Sequence, residues 1–391
     1  MEQENFYNAN RTETMELTYT RRSIMFLVPI LFYANIFGSV PKYDFVGKRI
    51  VTSKKRLFWL AFQIVCYGAV TVYSLHGRLE HLYDIYNSNV LVLLDLATEI
   101  VGSLTICFTI VETHLNRNLW QKFFHQLADL ESCTKWCDSG RNVRETNVLR
   151  NPFVQFCFVQ VFWILFSLYA ILVWVYRDNH FNPSYLISRL FLNYVESLRA
   201  IVIANFALLA LHKYRGINKV IVQNTRRSIR MFKIKATYLK MDDTIRTFNR
   251  LLGKQILYIF IVKSMQLVSV FSRLAQPMRV THILSIEFHF DLILLNLLLC
   301  ISSLFAVSAI TFSCHATVKE SEKLIGICYK LQEKFHIYSE EYQEIQNLIN
   351  LVTTKRVTFT AADFFEINKP ILFALVSTAT SYFIVVIQLQ N

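Results

Sequence analysis

The sequence predicts an all-α, polytopic membrane protein with seven transmembrane helices, a cytoplasmic N-terminus and an extracellular C-terminus. The 391-residue chain is 53% hydrophobic, and its apolar residues fall into long blocks that match the length a helix needs to cross a bilayer. It contains only 9 Gly and 6 Pro, without the alternating ten-residue segments of a membrane β-barrel. Basic residues concentrate in alternate connections between the blocks.

Seven long blocks are predicted to span the membrane. An eighth, shorter block, residues 24–40, contains Pro29, Asn35 and Gly38 and has basic residues on both sides. We expect it to form an interfacial or re-entrant helix on the cytoplasmic side. The alternative, a cleaved signal peptide, is disfavoured by the polar segment that precedes it. The seven predicted spans are residues 57–75, 90–112, 153–176, 184–212, 255–275, 283–314 and 370–389.

The positions of Lys and Arg predict the orientation. Nine precede the first span, and 6, 12 and 6 occupy every second connection, whereas the other connections hold at most two each. Basic residues favour the cytoplasmic side of a membrane. The net charge of +13 is thereby explained by loops that face anionic lipid, without a nucleic-acid partner.

Two cytoplasmic connections are predicted to be helical, to continue spans 4 to 6 beyond the bilayer, and to pack together. Ser339, followed by Glu340 and Glu341, is a plausible helix start, because a hydroxyl and carboxylates suit the exposed amide end. Apolar residues recur at helical spacing on both sides of it: Leu324, Ile327, Cys328, Leu331 and Phe335, then Ile345, Leu348, Ile349 and Val352.

Ionisable residues within the spans are costly in hydrocarbon, so they usually pair, face the bundle interior or line a wet cavity. They lie in the outer half of the predicted membrane, near three aromatic residues. One interpretation is a ligand pocket that opens outward. The other is structural pairing, with Arg189 and Lys263 neutralising the acids. The candidate pocket residues are Asp95, Glu99, Tyr169, Trp174, Tyr185, Arg189, Asn193, Glu196, Gln266, Glu287 and Asp291.

Enzyme motifs are weak in this sequence. A phosphate-binding glycine loop, a His-Glu-x-x-His zinc motif and a Gly-x-Ser-x-Gly nucleophile motif are all missing. We therefore predict no catalytic activity, no cofactor and no metal site. Seven spans also raise the alternatives of a G-protein-coupled receptor, which the predicted orientation opposes, and of a small-molecule transporter.

Near its C-terminus the chain has Ser381-Tyr382, five apolar residues, then Gln388-Leu389. This order resembles the hallmark of insect gustatory receptors, a family related to insect odorant receptors, which is Thr-Tyr, five hydrophobic residues and Gln-Phe. Upstream, Phe359 to Leu375 is similar to the Phe-rich stretch that leads into the family's last span. Ser381, Leu389 and Asp363 depart from the usual pattern.

The resemblance implies a tetrameric, ligand-gated, non-selective cation channel in the plasma membrane of sensory neurons. A small-molecule tastant would open it, and the subunits would be identical copies or other gustatory receptor subunits. Residues 1–56 would be the cytoplasmic N-terminus, 57–314 a six-span ligand-binding bundle, 315–363 the cytoplasmic anchor and 364–391 the pore-lining span.

The resemblance also implies roles along the last span. Gln388 would lie at the outer constriction of the pore, Val385 would form the hydrophobic gate and Ser381 would follow one turn inward. Tyr382 would lie off that stripe and pack against neighbouring spans. Independently of the family, a hydrophobic constriction can gate a pore by dewetting.

Overall fold

The computed structural model describes residues 27–44, 47, 49–51, 54–85, 89–138, 152–177, 183–223, 229–275 and 286–388. This part of the chain contains ten helices and two small hairpins. The helices are α1 (Val28–Ile36), α2 (Lys54–Ile85), α3 (Asn89–Leu115), α4 (Arg117–Asp138), α5 (Pro152–Arg177), α6 (Pro183–Gln223), α7 (Ile229–Ala275), α8 (Ile286–Gln332), α9 (Glu340–Thr354) and α10 (Lys369–Gln388). The antiparallel hairpins pair β1 (Tyr43–Asp44) with β2 (Arg49–Ile50), and β3 (Thr360–Ala361) with β4 (Phe365–Glu366).

Six of these helices, α2, α3, α5, α6, α7 and α8, are long and apolar enough to cross a membrane. Helix α10 is also apolar, and its 20 residues reach about 30 Å at 1.5 Å per residue. The six helices and α10 overlap the seven predicted blocks, and α6, α7 and α8 are longer than the blocks they overlap. The all-α prediction is correct for the body of the protein, but it missed the two hairpins, whose two-residue strands leave almost no alternating pattern to detect.

Helices α6, α7 and α8 continue well beyond any bilayer. They contain 41, 47 and 47 residues, which corresponds to about 60 to 70 Å, twice the hydrocarbon thickness. They pack against one another, and α9 packs against α7 and α8. The predicted helical extensions of spans 4 to 6 are therefore present.

Helix α6 is the centre of the bundle. Its apolar stretch is 78% buried inside the chain, against 28% for α2 and 33% for α5. The outer helices instead expose large apolar side chains such as Phe58, Leu93 and Phe158, which are 75%, 68% and 63% exposed. Such a surface suits lipid, where exposed apolar groups carry no cost.

The helix predicted in residues 24–40 is α1, and it is too short to span. Its nine residues cover about 14 Å. It packs on α6 and α5, and the Gln63 amide of α2 donates to the Ile36 carbonyl at its end. Gly38 then turns the chain with φ +71, where a Cβ would lie 2.8 Å from Ile110. Only glycine fits such a left-handed, crowded position.

Helix α9 begins as the sequence predicts. The Ser339 side chain accepts a hydrogen bond from the Tyr342 backbone N–H, and Glu340 and Glu341 occupy the first turn. The predicted apolar face is buried, with Ile345 fully inaccessible. It packs on α8 and α7.

The β3–β4 hairpin fixes the approach to α10. Its turn residues Ala362 and Asp363 are left-handed, at φ 52 and 61, and the Thr360 hydroxyl donates to the Asp363 carboxylate over 2.9 Å. Asn249 of α7 donates to the Thr358 carbonyl at 2.8 Å. A Cβ on Gly253 would meet the Ala362 nitrogen at 2.9 Å, so glycine permits this close packing.

Candidate functional site

The polar side chains of α3, α6 and α7 converge on one buried cluster. Asp95 and Glu99 lie four residues apart on α3 and so share a face, and they are 4% and 5% exposed. Asn193 and Glu196 of α6 are 2% and 1% exposed. Helical periodicity puts each pair on one face of its helix, and the packing of α3, α6 and α7 brings these four predicted pocket residues together.

Lys263 of α7 is completely buried and contacts the side chains in one half of this cluster. Its ammonium lies 2.7 Å from the Glu196 carboxylate. It also donates to the Asn193 side-chain oxygen at 2.8 Å and to the Gln266 side-chain oxygen at 2.9 Å. Three acceptors thus surround the three donors of the ammonium group.

Asp95 contacts the side chains in the other half of the cluster. Its Oδ1 atom accepts from the Arg273 guanidinium at 2.7 Å and from the Ser269 hydroxyl at 3.1 Å, and Arg189 Nη1 lies 3.7 Å away. Glu99 accepts a hydrogen bond from the Ser188 hydroxyl. Both acids of α3 are therefore engaged by neighbouring helices.

The cluster is electrically balanced. Three carboxylates, Asp95, Glu99 and Glu196, face three cations, Arg189, Lys263 and Arg273. An uncompensated charge in this setting would cost several kcal/mol. The arrangement explains how a membrane bundle holds six ionisable groups.

The cavity inside the cluster is small. Asp95, Glu99, Arg189, Glu196 and Gln266 are among the residues that line it, and its volume is about 20 Å³. That volume holds about one water molecule. In this conformation the cluster is a closed polar network, which is too small for an organic ligand.

Asp291 lies in a separate pair. The Tyr169 hydroxyl of α5 donates to its Oδ1 at 2.9 Å and so connects α5 to α8. The side chains of the other three predicted pocket residues, Trp174, Tyr185 and Glu287, lie outside the described part of the structure.

Sequence reasoning missed Arg273, Ser269 and Asn296. Arg273 donates to Ser269 at 2.6 Å and to the Asn296 side-chain oxygen at 3.3 Å, so it connects α7 to α8. The spacing of polar residues on α7 could have revealed Ser269 and Arg273. Lys263, Gln266, Ser269 and Arg273 recur at three- and four-residue intervals, which places them on one helical face. In the described residues, no group of three or more His, Cys, Asp or Glu side chains is arranged to hold a metal ion.

Helix α10 is the second candidate site, and its two faces differ. At 100° per residue, Ser377, Ser381, Val385 and Gln388 form one stripe, and all four are exposed. The opposite face buries Leu375 and Ala379 against the bundle. The Ser381 hydroxyl donates to the Ser377 carbonyl at 3.0 Å, and the Thr380 hydroxyl to the Val376 carbonyl at 2.8 Å.

Tyr382 is 61% exposed on this chain, and its expected packing against neighbouring spans stays a prediction. The neighbouring ring of Phe383 lies 6.1 Å from Phe271 of α7. Leu389 lies outside the described residues.

Comparison with known proteins identifies both family and fold. A family model described as 7tm chemosensory receptor matches residues 27–390. The structure is similar to the insect olfactory receptor OR5 from Machilis hrabei, with a TM-score of 0.59 and 13% sequence identity over 96% of this chain and 100% of that one. The same receptor in complex with eugenol gives a TM-score of 0.56 and 12% identity, again over 96% of this chain and 100% of that one. No curated protein sequence matches this chain significantly.

Proposed function

This chain belongs to the 7tm chemosensory receptor family, and we propose that it is a gustatory receptor subunit that forms a ligand-gated, non-selective cation channel. Four copies, or copies joined by other gustatory receptor subunits, assemble around a central pore. A small-molecule tastant opens that pore in the plasma membrane of a sensory neuron. The C-terminal motif, Ser381-Tyr382 to Gln388, favours the gustatory branch.

The exposed stripe of α10 is the observation that carries the channel proposal. Ser377, Ser381 and Gln388 present polar groups along one side of the helix, while Thr378, Thr380 and Tyr382 are exposed polar residues on its other sides. Lipid would be a poor partner for the Gln388 amide, whereas water and a passing cation would be good ones. Val385, on the same stripe, supplies the hydrophobic ring that closes the pore by dewetting.

The proposed topology has seven spans, with α10 as the seventh, a cytoplasmic N-terminus and an extracellular C-terminus. The alternation of Lys and Arg supports this orientation. It puts the extensions of α6, α7 and α8 in the cytoplasm, together with α9 and the β3–β4 hairpin. These elements, residues 315–363 with the extensions, are the proposed anchor between subunits.

The polar cluster of α3, α6 and α7 is the proposed ligand site. It lies in the outer half of the bundle in this orientation, and its groups offer both donors and acceptors. The cavity holds about one water. A ligand would therefore have to replace existing contacts within the cluster, such as the one between Asp95 and Arg273. A ligand that binds only the opened cluster shifts the population towards it. The structure of OR5 in complex with eugenol shows that a protein of similar fold binds that molecule.

The test is a ligand screen on current from this chain expressed alone. Ligand-evoked cation current that persists when G-protein signalling is blocked is the expected result. Current that vanishes under the block would assign the chain to coupled receptors, and stoichiometric uptake without current would assign it to transporters.

A further inference from the structure

We propose that the pocket lined by residues 38–41 and 50–51, the starts of α2 and α4 and the end of α3 binds the headgroup of a phosphoinositide from the inner leaflet. The pocket has a volume of about 310 Å³ and is separate from the polar cluster and from the α10 stripe. Its location in the cytoplasmic leaflet rests on the orientation given under the proposed function. The chemistry of its lining rests on the structure alone.

Three permanent cations line this pocket. Lys54 is the first residue of α2, Arg56 follows two positions later, and Arg117 is the first residue of α4. His114 and the Thr113 side chain complete the polar lining. Arg56 already donates to the Val51 carbonyl at 3.4 Å and the Thr113 hydroxyl to the Ser39 carbonyl at 3.2 Å. Lys54, Arg117 and His114 are therefore the groups that offer further donors to an anion.

No carboxylate is among the described residues that line the pocket. Glu112 is next to it in sequence, but its carboxylate pairs with Lys254 at 2.7 Å. Within the part of the chain that the structure describes, Lys54 and Arg117 form no ion pair. The pocket therefore has a surplus of positive charge, which an anionic ligand would neutralise.

In the proposed orientation the pocket lies at the cytoplasmic start of the first span, because Lys54 begins the apolar stretch 54–77. Leu57 and Leu60 follow Lys54 by about one and two turns of α2, and they form an apolar wall of the pocket. Phe58 and Trp59 lie beside them and are 75% and 46% exposed, so they face outward at the level of an aromatic belt. An acyl chain could continue along this apolar surface while the headgroup occupies the basic pocket.

The charge favours a phosphoinositide over a singly charged lipid. A phosphomonoester carries about −1.5 to −2 at neutral pH, which matches several cations converging on one site. Phosphatidylserine carries a net charge of about −1 and would leave most of the surplus in place. Basic pockets between transmembrane helices on the cytoplasmic side are a known way to hold such headgroups.

The test measures lipid binding to the purified full-length chain in detergent, by thermal shift and native mass spectrometry. The probes are short-chain phosphatidylinositol bisphosphate, short-chain phosphatidylserine and inorganic phosphate. We expect the phosphoinositide to bind best. The double variant Lys54→Gln/Arg117→Gln should bind it about thirty-fold more weakly, equivalent to about 2 kcal/mol for two cations.

The matched control is Lys55→Gln/Lys122→Gln, which removes two exposed cations from the same two helices without touching the pocket. Lys54 and Arg117 are exposed as well, so the two pairs match in exposure and differ in whether they line the pocket. The control should weaken binding by less than about threefold, because charges farther from the headgroup are screened more strongly. Equal losses in both double variants would overturn the proposal, and so would binding of inorganic phosphate as tight as that of the lipid. Arg117→Lys, which keeps the charge, should retain most of the affinity. The assay measures lipid binding and records no current. A negative result would therefore contradict the lipid-binding proposal and leave the channel proposal unaffected.

Discussion

The buried ammonium of Lys263 shows what a single residue contributes to this bundle. It is fully inaccessible, yet it touches Glu196, Asn193 and Gln266 within 2.9 Å. Another ion pair, Lys254–Glu112, has the same 2.7 Å separation, but its lysine is 58% exposed. The same distance therefore has different consequences at the two sites, because only one of them excludes water.

We predict that Lys263→Met destabilises the protein by about 3–5 kcal/mol, because it leaves the Glu196 carboxylate buried without its cation. Thermal unfolding of the detergent-purified protein measures the effect. The matched control, Lys254→Met, should cost about 0–1 kcal/mol. The double variant Lys263→Met/Glu196→Gln should be less destabilised than Lys263→Met alone, and a simple sum of the two single effects would argue against the pair.

A second prediction at this scale concerns Gln388. Gln388→Ala should change ion permeation or block without abolishing surface expression, because the amide is exposed and forms no hydrogen bond to the residues that the structure describes. Whole-cell recordings with ion substitution measure it. Thr380→Ala on the same helix, off the proposed pore stripe, is the control and should leave selectivity unchanged. Wild-type currents and selectivity across several substitutions at Gln388 would contradict its place in the pore.

At the scale of elements, the contact between α7 and the β3–β4 hairpin determines how the last helix is reached. Asn249 and Gly253 lie one turn apart on α7 and both face the hairpin. The hairpin turn uses Ala362 and Asp363 at positive φ, where the Asp363 carboxylate accepts from Thr360. Asp363, a departure from the family pattern at the sequence level, thus has a local role in the turn.

We predict that Gly253→Ala destabilises this contact by about 1–3 kcal/mol, because the added Cβ would lie 2.9 Å from the Ala362 nitrogen and 3.1 Å from the Thr360 oxygen. Gly326→Ala on α8 is a matched helix control with nothing within 4 Å of its Cβ. It should be neutral or stabilise the protein by up to about 1 kcal/mol. Hydrogen exchange of the hairpin amides locates the effect, and equal protection in both variants would refute the close packing.

At the scale of the whole molecule, both the channel proposal and the lipid-binding proposal depend on the orientation of the chain in the membrane. An epitope tag at the C-terminus should be labelled on intact cells, and one at the N-terminus only after permeabilisation. The sequon Asn10-Arg11-Thr12 should stay unglycosylated for the same reason. Labelling in the opposite pattern would reverse the topology and move the basic pocket to the outer leaflet.

Much of the fold could be read from the sequence because its signals are local. Apolar blocks specify the spans, and Ser339 with its two glutamates specifies the start of α9. Residues four apart, such as Asp95 and Glu99, share a face whatever the fold. Family membership followed from a short motif at the end of the chain, together with the order of the spans.

The tertiary structure alone decided which side chains meet. Asp95 and Arg273 are 178 residues apart, and only the packing of α3 on α7 joins them at 2.7 Å. The packing of α3, α6 and α7 closes the polar cluster to about one water. The packing of α2 on α3 collects Lys54 and Arg117 around one pocket. Periodicity determines which face of a helix a residue occupies, whereas the neighbour of that face is set by long-range packing, which no local pattern encodes.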